Sequence, residues 1–251
     1  MADFKDLFSR QASDYARFRP SYPSQLFDEL AQRSGARGLA IDLGCGNGQA
    51  SAALARRFER VIGVDPSQAQ LDQAPALANA RFACAAAEST GLAGGEADLI
   101  TVAQAFHWFK LPQAFEEIQR LAKPGGLVAL WSYGHCRISP GVDAVTWKLY
   151  EELLGAYWDP DRRKVEDGYA NIAFPPSWQV LAMPPVSMGQ EWALEEFAGY
   201  LSTWSPLKRF QEDKGFDPLQ AVLPAMAQAW GPEGKRSVQW PLNLRVFKVP
   251  T

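Results

Sequence analysis

The residues best arranged for chemistry are Asp42-Leu43-Gly44-Cys45-Gly46-Asn47-Gly48. A short apolar run, Leu39–Leu43, leads into three alternating glycines, and the Ala-rich stretch Gln49–Phe58 follows with helical composition. A strand that turns on glycines into a helix lets a ligand come close to bare backbone, because glycine has no side chain and tolerates positive φ. Twenty-three residues after Asp42, the second apolar run Arg60–Val64 closes on Asp65-Pro66-Ser67. A carboxylate at that place accepts both hydroxyls of a ribose.

Two nucleotide-like cofactors suit such a turn. A dinucleotide requires G-x-G-x-x-G, so that its pyrophosphate rests on the helix N-terminus. Gly44 and Gly46 satisfy the first two places, but the third is Gln49, and Asp42 stands two residues before the first glycine. A carboxylate there repels a pyrophosphate and instead suits an ammonium, directly or through water. The charge pattern therefore favours S-adenosylmethionine over NAD.

The acceptor side offers fewer groups. The sequence contains two histidines, His107 and His135. His107 follows the fourth apolar run, at the edge where open α/β sheets bind ligands. It is a candidate base for a hydroxyl acceptor, or a packing residue beside Trp108. His135 follows the fifth run and is read the same two ways. Arg17 and Arg19 belong to an N-terminal segment expected to fold over the site, where either would grip an acidic acceptor or simply lie at the surface. Tyr15 and Tyr22 close the pocket or anchor the segment. Trp131 and Tyr133 are expected to face the same crevice. No His/Cys/Asp cluster suggests a metal, and no G-x-S-x-G elbow suggests hydrolysis.

The elements that position these groups follow from the βα alternation between residues 38 and 133. Ala80–Ala85, Ala97–Ala103 and Gly126–Tyr133 are further strands, Pro112–Leu121 is a helix, and Lys123-Pro124-Gly125-Gly126 is a turn before the fifth strand. Near-continuous apolar strands with intervening helices imply a parallel sheet covered on both faces. Beyond Trp131, where seven of the nine tryptophans lie, Asp143–Ala156 and Glu195–Thr203 read as helices, and Gln179–Ala182, Val186–Trp192 and Val238–Val249 as strands. Pro241 places an edge or bulge in the last of these. The tryptophans line an apolar pocket or fill the core of the inserted helices.

The expectation is an α/β, Rossmann-like, doubly wound sheet of seven mostly parallel strands, with an antiparallel C-terminal strand and a helical cap. One domain spans 1–251: a cap at 1–35, a cofactor-binding core at 36–133, a helical substrate-cap insertion at 134–237 and a terminal strand at 238–251. A net charge of −3 leaves no basic footprint for nucleic acid. Three scattered cysteines make no disulfide framework, and neither a signal peptide nor a membrane span is expected. A cytoplasmic monomer or homodimer acting on a small molecule is expected.

These residues also carry a resemblance. Asp42–Gly48 resembles motif I of the class I S-adenosylmethionine-dependent methyltransferases, and Val61–Ser67 their ribose-binding motif. Ala86-Ala87-Glu88 is similar to the segment that lines the adenine, and Asp98–Gln104 with Ala105-Phe106-His107-Trp108 to the fourth-strand motif. Tyr15–Pro23, Gln104–Phe109 and Gly199–Ser205 look like the trans-aconitate methyltransferase group. The resemblance implies cofactor contacts at Asp42, Gly44, Gly46, Asn47, Gly48, Asp65, Pro66, Ala87, Glu88 and Gln104. It implies acceptor contacts at Tyr15, Arg19, Tyr22, Trp108, Tyr133 and Trp204, and methyl transfer to a small molecule, most plausibly to a carboxylate oxygen. The alternatives are O-methylation of a phenol or hydroxyl with a histidine base, a non-catalytic cofactor-binding protein, or an NAD-dependent oxidoreductase.

Overall fold

The computed structural model describes residues 18–232 and 234–250. Its first elements are α1 (Ser24–Arg33), β1 (Leu39–Leu43), α2 (Gln49–Ala55), β2 (Arg60–Asp65), α3 (Gln68–Leu71), β3 (Ala80–Cys84), β4 (Ala97–Ala103), α4 (Leu111–Leu121) and β5 (Ala122–Tyr133). The second half adds α5 (Pro140–Trp147), α6 (Arg162–Glu166), β6 (Gln179–Leu181), β7 (Ser187–Trp192), α7 (Leu194–Ser202), α8 (Ser205–Lys214), α9 (Pro218–Trp230) and β8 (Arg236–Lys248).

Strands pair in the order β3-β2-β1-β4-β5-β8-β6. Strands β1 to β5 pair in parallel, and β8 runs antiparallel to β5 and β6. The seven-stranded path read from the sequence is present, and β7 adds an eighth strand along the first half of β8. Pro241 falls where β8 changes partner: it pairs with Ser187 on β7, and the next residue, Leu242, pairs with Tyr133 on β5. A missing N–H is tolerated at such a change of ladder.

The order places β1 and β4 side by side at the middle of the sheet. Their carboxyl ends, where the connections diverge, form the crevice in which open α/β sheets bind ligands. On one face Leu26, Phe27 and Leu30 of α1 pack with Ala40, Leu99, Ala129 and Trp131. On the other, Ile118 and Leu121 of α4 pack with Ile41, Val102 and Leu130. A third apolar cluster joins Tyr133 to Tyr150, Tyr200, Trp204, Trp230 and Trp240. Most of the late tryptophans therefore fill cores. No helix among the described residues is long and apolar enough to cross a membrane.

Several boundaries differ from the sequence reading. Strand β5 starts at Ala122, which pairs with Ala97, and the ladder resumes only at Leu127 opposite Leu99. Lys123–Gly126 thus forms a wide bulge rather than a turn ahead of the strand, tied down by Gly125 N–H donating to the Pro250 carbonyl. The expected helix over Asp143–Ala156 divides into α5, a π-helical turn at Lys148–Leu153 and a 3-10 turn at Gly155–Tyr157. Helices α6, α8 and α9 have no counterpart in the sequence reading; α6 has only five residues, and Pro224 lies inside α9.

Candidate functional site

Strand β1 delivers the chain into the glycine turn. Gly44, Gly46 and Gly48 have φ of +67°, +54° and +79°. At Gly44 a Cβ would stand 2.5 Å from the Ala105 Cβ, so only hydrogen fits. At Gly46 the nearest atom to such a Cβ, Gln70 Oε1, is 3.8 Å away, which leaves that side of the turn open. Gly44 and Cys45 N–H donate to the Val64 carbonyl, locking the turn against the end of β2. Asn47 is half-buried and Gly48 caps α2.

Asp65 reaches back across this turn. Its Oδ2 accepts from Gly46 N–H at 2.8 Å and its Oδ1 from Ser67 N–H at 2.9 Å. These two bonds hold the carboxylate rigid against the turn. An open glycine backbone beside a clamped carboxylate fits the ribose and amino-acid ends of an adenosyl ligand. Pro66, next to Asp65, is half-buried, and Ala87 is buried. Glu88 Oε1 accepts from Lys110 N–H at 2.7 Å, which ties the segment after β3 to the start of α4.

Asp42 is placed differently. It is fully buried, and its oxygens accept from Ser51 Oγ at 2.6 Å and Thr101 Oγ1 at 2.8 Å. Burial pushes its carboxyl up to about 6, against the pull of these two hydroxyls. The group braces β1, α2 and β4 beneath the turn. Gln104 has φ +56°, and its side-chain amide extends the sheet: Nε2 donates to the Tyr133 carbonyl and Oε1 accepts from Tyr133 N–H, both at 2.9 Å. These two bonds hold a backbone conformation that non-glycine residues rarely adopt.

Arg19 meets the end of β5. Its Nη1 donates to the Tyr133 hydroxyl at 3.3 Å, its Nη2 lies 3.5 Å from the Thr203 carbonyl, and its guanidinium sits 5.7 Å from the Tyr200 ring centre. Tyr22 packs edge-on against Trp131 and Tyr133, with centroids 5.4 and 6.3 Å apart. Trp131 is fully buried between Tyr22 and Phe27, not in the crevice, because α1 covers that face of β5. Tyr15 and Arg17 lie outside the described residues.

His107 sits in a 3-10 turn after β4, 4 % exposed, its ring 4.5 Å from that of the half-buried Trp108 and its Nδ1 3.4 Å from the Tyr169 hydroxyl. Burial, with Arg162 and Lys164 nearby, pushes its pKa down to about 3. His135 packs against Tyr150 with centroids 3.7 Å apart, and burial with Arg162 pushes it down to about 4. Trp204 is buried, 5.6 Å from Tyr150 and 6.3 Å from His135. Both imidazoles are neutral at pH 7, and proton transfer to a group with so low a pKa is unfavourable.

The sequence reading missed Arg162. It lies on the short helix α6, stacked 5.1 Å from the Trp158 ring, and bears electrostatically on His107, His135, Tyr150 and Tyr169. The only local signal was the charged run Asp159-Pro160-Asp161-Arg162-Arg163-Lys164, which has the composition of a solvated loop.

Comparison with known proteins agrees with this geometry. Residues 41–130 match the family described as methyltransferase domain. A Dictyostelium discoideum protein provisionally described as a methyltransferase is 35 % identical over 250 residues, 98 % of this chain and 94 % of its own length. A Saccharomyces cerevisiae protein described as an S-adenosylmethionine-dependent methyltransferase is 33 % identical over 168 residues, 62 % of this chain and 58 % of its own. A solved structure from Anaeromyxobacter dehalogenans, provisionally named a type II methyltransferase, is 43 % identical, superposes with a TM-score of 0.86 and is covered completely by 93 % of this chain. A relative above 30 % identity across nearly its whole length, joined to a glycine turn and clamped acid of the right chemistry, places the chain in the class I S-adenosylmethionine-dependent methyltransferases.

Proposed function

We propose that this enzyme transfers the methyl group of S-adenosylmethionine to a carboxylate oxygen of a small acid of the trans-aconitate kind. The observation that carries the reading is Arg19. Its guanidinium stands where β5 leaves the sheet, positioned by the Tyr133 hydroxyl and the Thr203 carbonyl. A planar cation of this kind suits a carboxylate. A carboxylate is already ionised at pH 7 and requires no base, in keeping with two histidines that stay neutral and are poor proton acceptors. The same fact weighs against methylation of a phenol or hydroxyl through a histidine.

When bound, the cofactor supplies an electrophilic methyl carbon whose sulfur leaves as a neutral thioether. The chain's task is then positioning, which contributes several kcal/mol in favourable cases. Gly44, Gly46, Asn47 and Gly48 admit the amino-acid end, and Asp65 accepts from the ribose. Pro66, Ala87 and Glu88 line the adenine side. Gln104 and Asp42 shape the crevice floor. Arg19 turns an acceptor oxygen toward the methyl, while Tyr22, Trp108, Tyr133 and Trp204 exclude water around it. In this reading residues 1–35 and 134–237 cap a core at 36–133, with 238–251 as the terminal strand, in a cytoplasmic monomer or homodimer.

Incubation with methyl-labelled cofactor and a panel of small acids, phenols and amines tests the reading. The expected product is a base-labile ester, and Arg19→Ala should raise the acceptor KM about tenfold or more with little change in cofactor affinity. A base-stable ether or N-methyl product, or an unchanged KM, would overturn it.

A further inference from the structure

Arg162 occupies a position that the cofactor site does not use. It stands on α6 with its guanidinium against the Trp158 ring, and Trp158 contacts Tyr150 and Trp204 at centroid distances of 4.6 and 5.6 Å. His135 closes the same group against Tyr150 and Trp204. The result is a packed aromatic cluster with a cation at its edge. The cluster lies beside the ends of two central strands, since His107 follows β4, His135 follows β5, and Arg162 acts on both imidazoles. It is continuous with the Arg19 side through Tyr200, whose ring lies 6.0 Å from Trp204 and 5.7 Å from the Arg19 guanidinium.

Among the described residues no carboxylate lies at salt-bridge distance from Arg162, whose side chain sits beside the Tyr150 hydroxyl. Asp161 pairs with Lys164 at 2.9 Å, Asp159 Oδ1 accepts from Asp161 N–H at 3.1 Å, and Glu166 accepts from the Tyr150 hydroxyl. Arg162 Nε is buried and makes no hydrogen bond among the described residues. A buried guanidinium N–H without a partner is costly, and an acceptor's oxygen would remove that cost. Aromatic ring faces attract cations. Here Arg162 already holds the Trp158 face, so a second cation would be repelled and an anion drawn in.

We infer that Arg162 is a specificity-determining residue: with Trp158 it forms an anion-recognition subsite that selects acidic acceptors and rejects amines. The inference deepens the carboxylate reading and rests on it for the identity of the acceptor, but it concerns a different guanidinium, supplied by a different part of the chain. Arg19 would orient the reacting oxygen, while Arg162 would read charge. A single carboxylate spanning both, or a second acidic group reaching Arg162, would satisfy the same chemistry.

The test uses three probes that share one ring and differ in charge: benzoate, benzyl alcohol and benzylamine. Each is titrated into the full chain saturated with S-adenosylhomocysteine, with binding followed by tryptophan fluorescence and calorimetry. Benzoate should bind about tenfold or more tighter than benzyl alcohol, with benzylamine weakest. Arg162→Gln should abolish that order while leaving S-adenosylhomocysteine affinity within about twofold, and Arg162→Lys, which keeps the charge but loses the planar stack, should restore part of it. The order surviving in Arg162→Gln, or no benzoate preference in the unaltered protein, would overturn the inference. A charge preference that depends on Arg162 without any ester product would instead refute only the carboxylate-methylation reading.

Discussion

Removing the Asp65 carboxylate should separate two jobs it performs. In Asp65→Ala, Gly46 N–H and Ser67 N–H lose acceptors at 2.8 and 2.9 Å. Bonds to a charged acceptor contribute about 1.5–3 kcal/mol each, and the buried Ser67 amide would be left without a partner. Part of this is recovered where water reaches the glycine turn, so a stability loss of about 2–4 kcal/mol is expected. The loss of the ribose contact should weaken S-adenosylhomocysteine by a further 1.5–3 kcal/mol, roughly 10- to 150-fold. Denaturant melts measure the first effect and calorimetry the second. A 2′,3′-dideoxy analogue of S-adenosylhomocysteine completes a double-mutant cycle, because it lacks the hydroxyls that Asp65 would accept from. Asp65→Ala should affect that analogue far less than the parent ligand. Equal weakening of both would mean that Asp65 acts only on the turn, and the ribose assignment would be wrong.

Other outcomes follow from buried titratable groups. Asp42 is an acid whose folded pKa lies above its unfolded value of 3.8, at about 6, so the folded state holds the extra proton and stability falls as pH rises through that interval. At 1.36 kcal/mol per pH unit the full effect is about 3 kcal/mol above pH 6. Asp42→Asn should therefore be more stable than the parent at pH 8, with the gap closing below pH 4 in urea melts. A gap independent of pH would show that Asp42 is not the titrating group. His107, held at about 3, should contribute no limb to the kcat/KM profile between pH 5.5 and 8, and His107→Gln should keep activity within about threefold. A limb near 6.5 that disappears in His107→Gln would restore the histidine-base reading.

How much was legible in advance differs between the two halves of the crevice. The cofactor half is local: β1, the glycines and α2 are contiguous, and Asp65 follows one crossover later at the end of the neighbouring strand. Residue type, spacing and the right-handed crossover rule were enough to bring them together. The helices of the cap were less readable, since α6 has only five residues and Pro224 interrupts the pattern of α9.

Asp42 marks the boundary between the two kinds of knowledge. The sequence by itself determined that a carboxylate precedes the first glycine and that Gln49 fills the place where a dinucleotide turn needs glycine. Only the tertiary structure decided that this carboxylate is fully buried under Ser51 and Thr101, where it braces three elements from beneath. Arg162 shows the converse. In the sequence it is one charge in a hydrophilic run. Packing alone sets it against Trp158 and brings Tyr150, His135 and Trp204 around it, from segments up to 69 residues apart. Local sequence encodes which backbone a turn must adopt. It does not encode the electrostatics of a cavity, because those depend on which distant side chains exclude water from a charge.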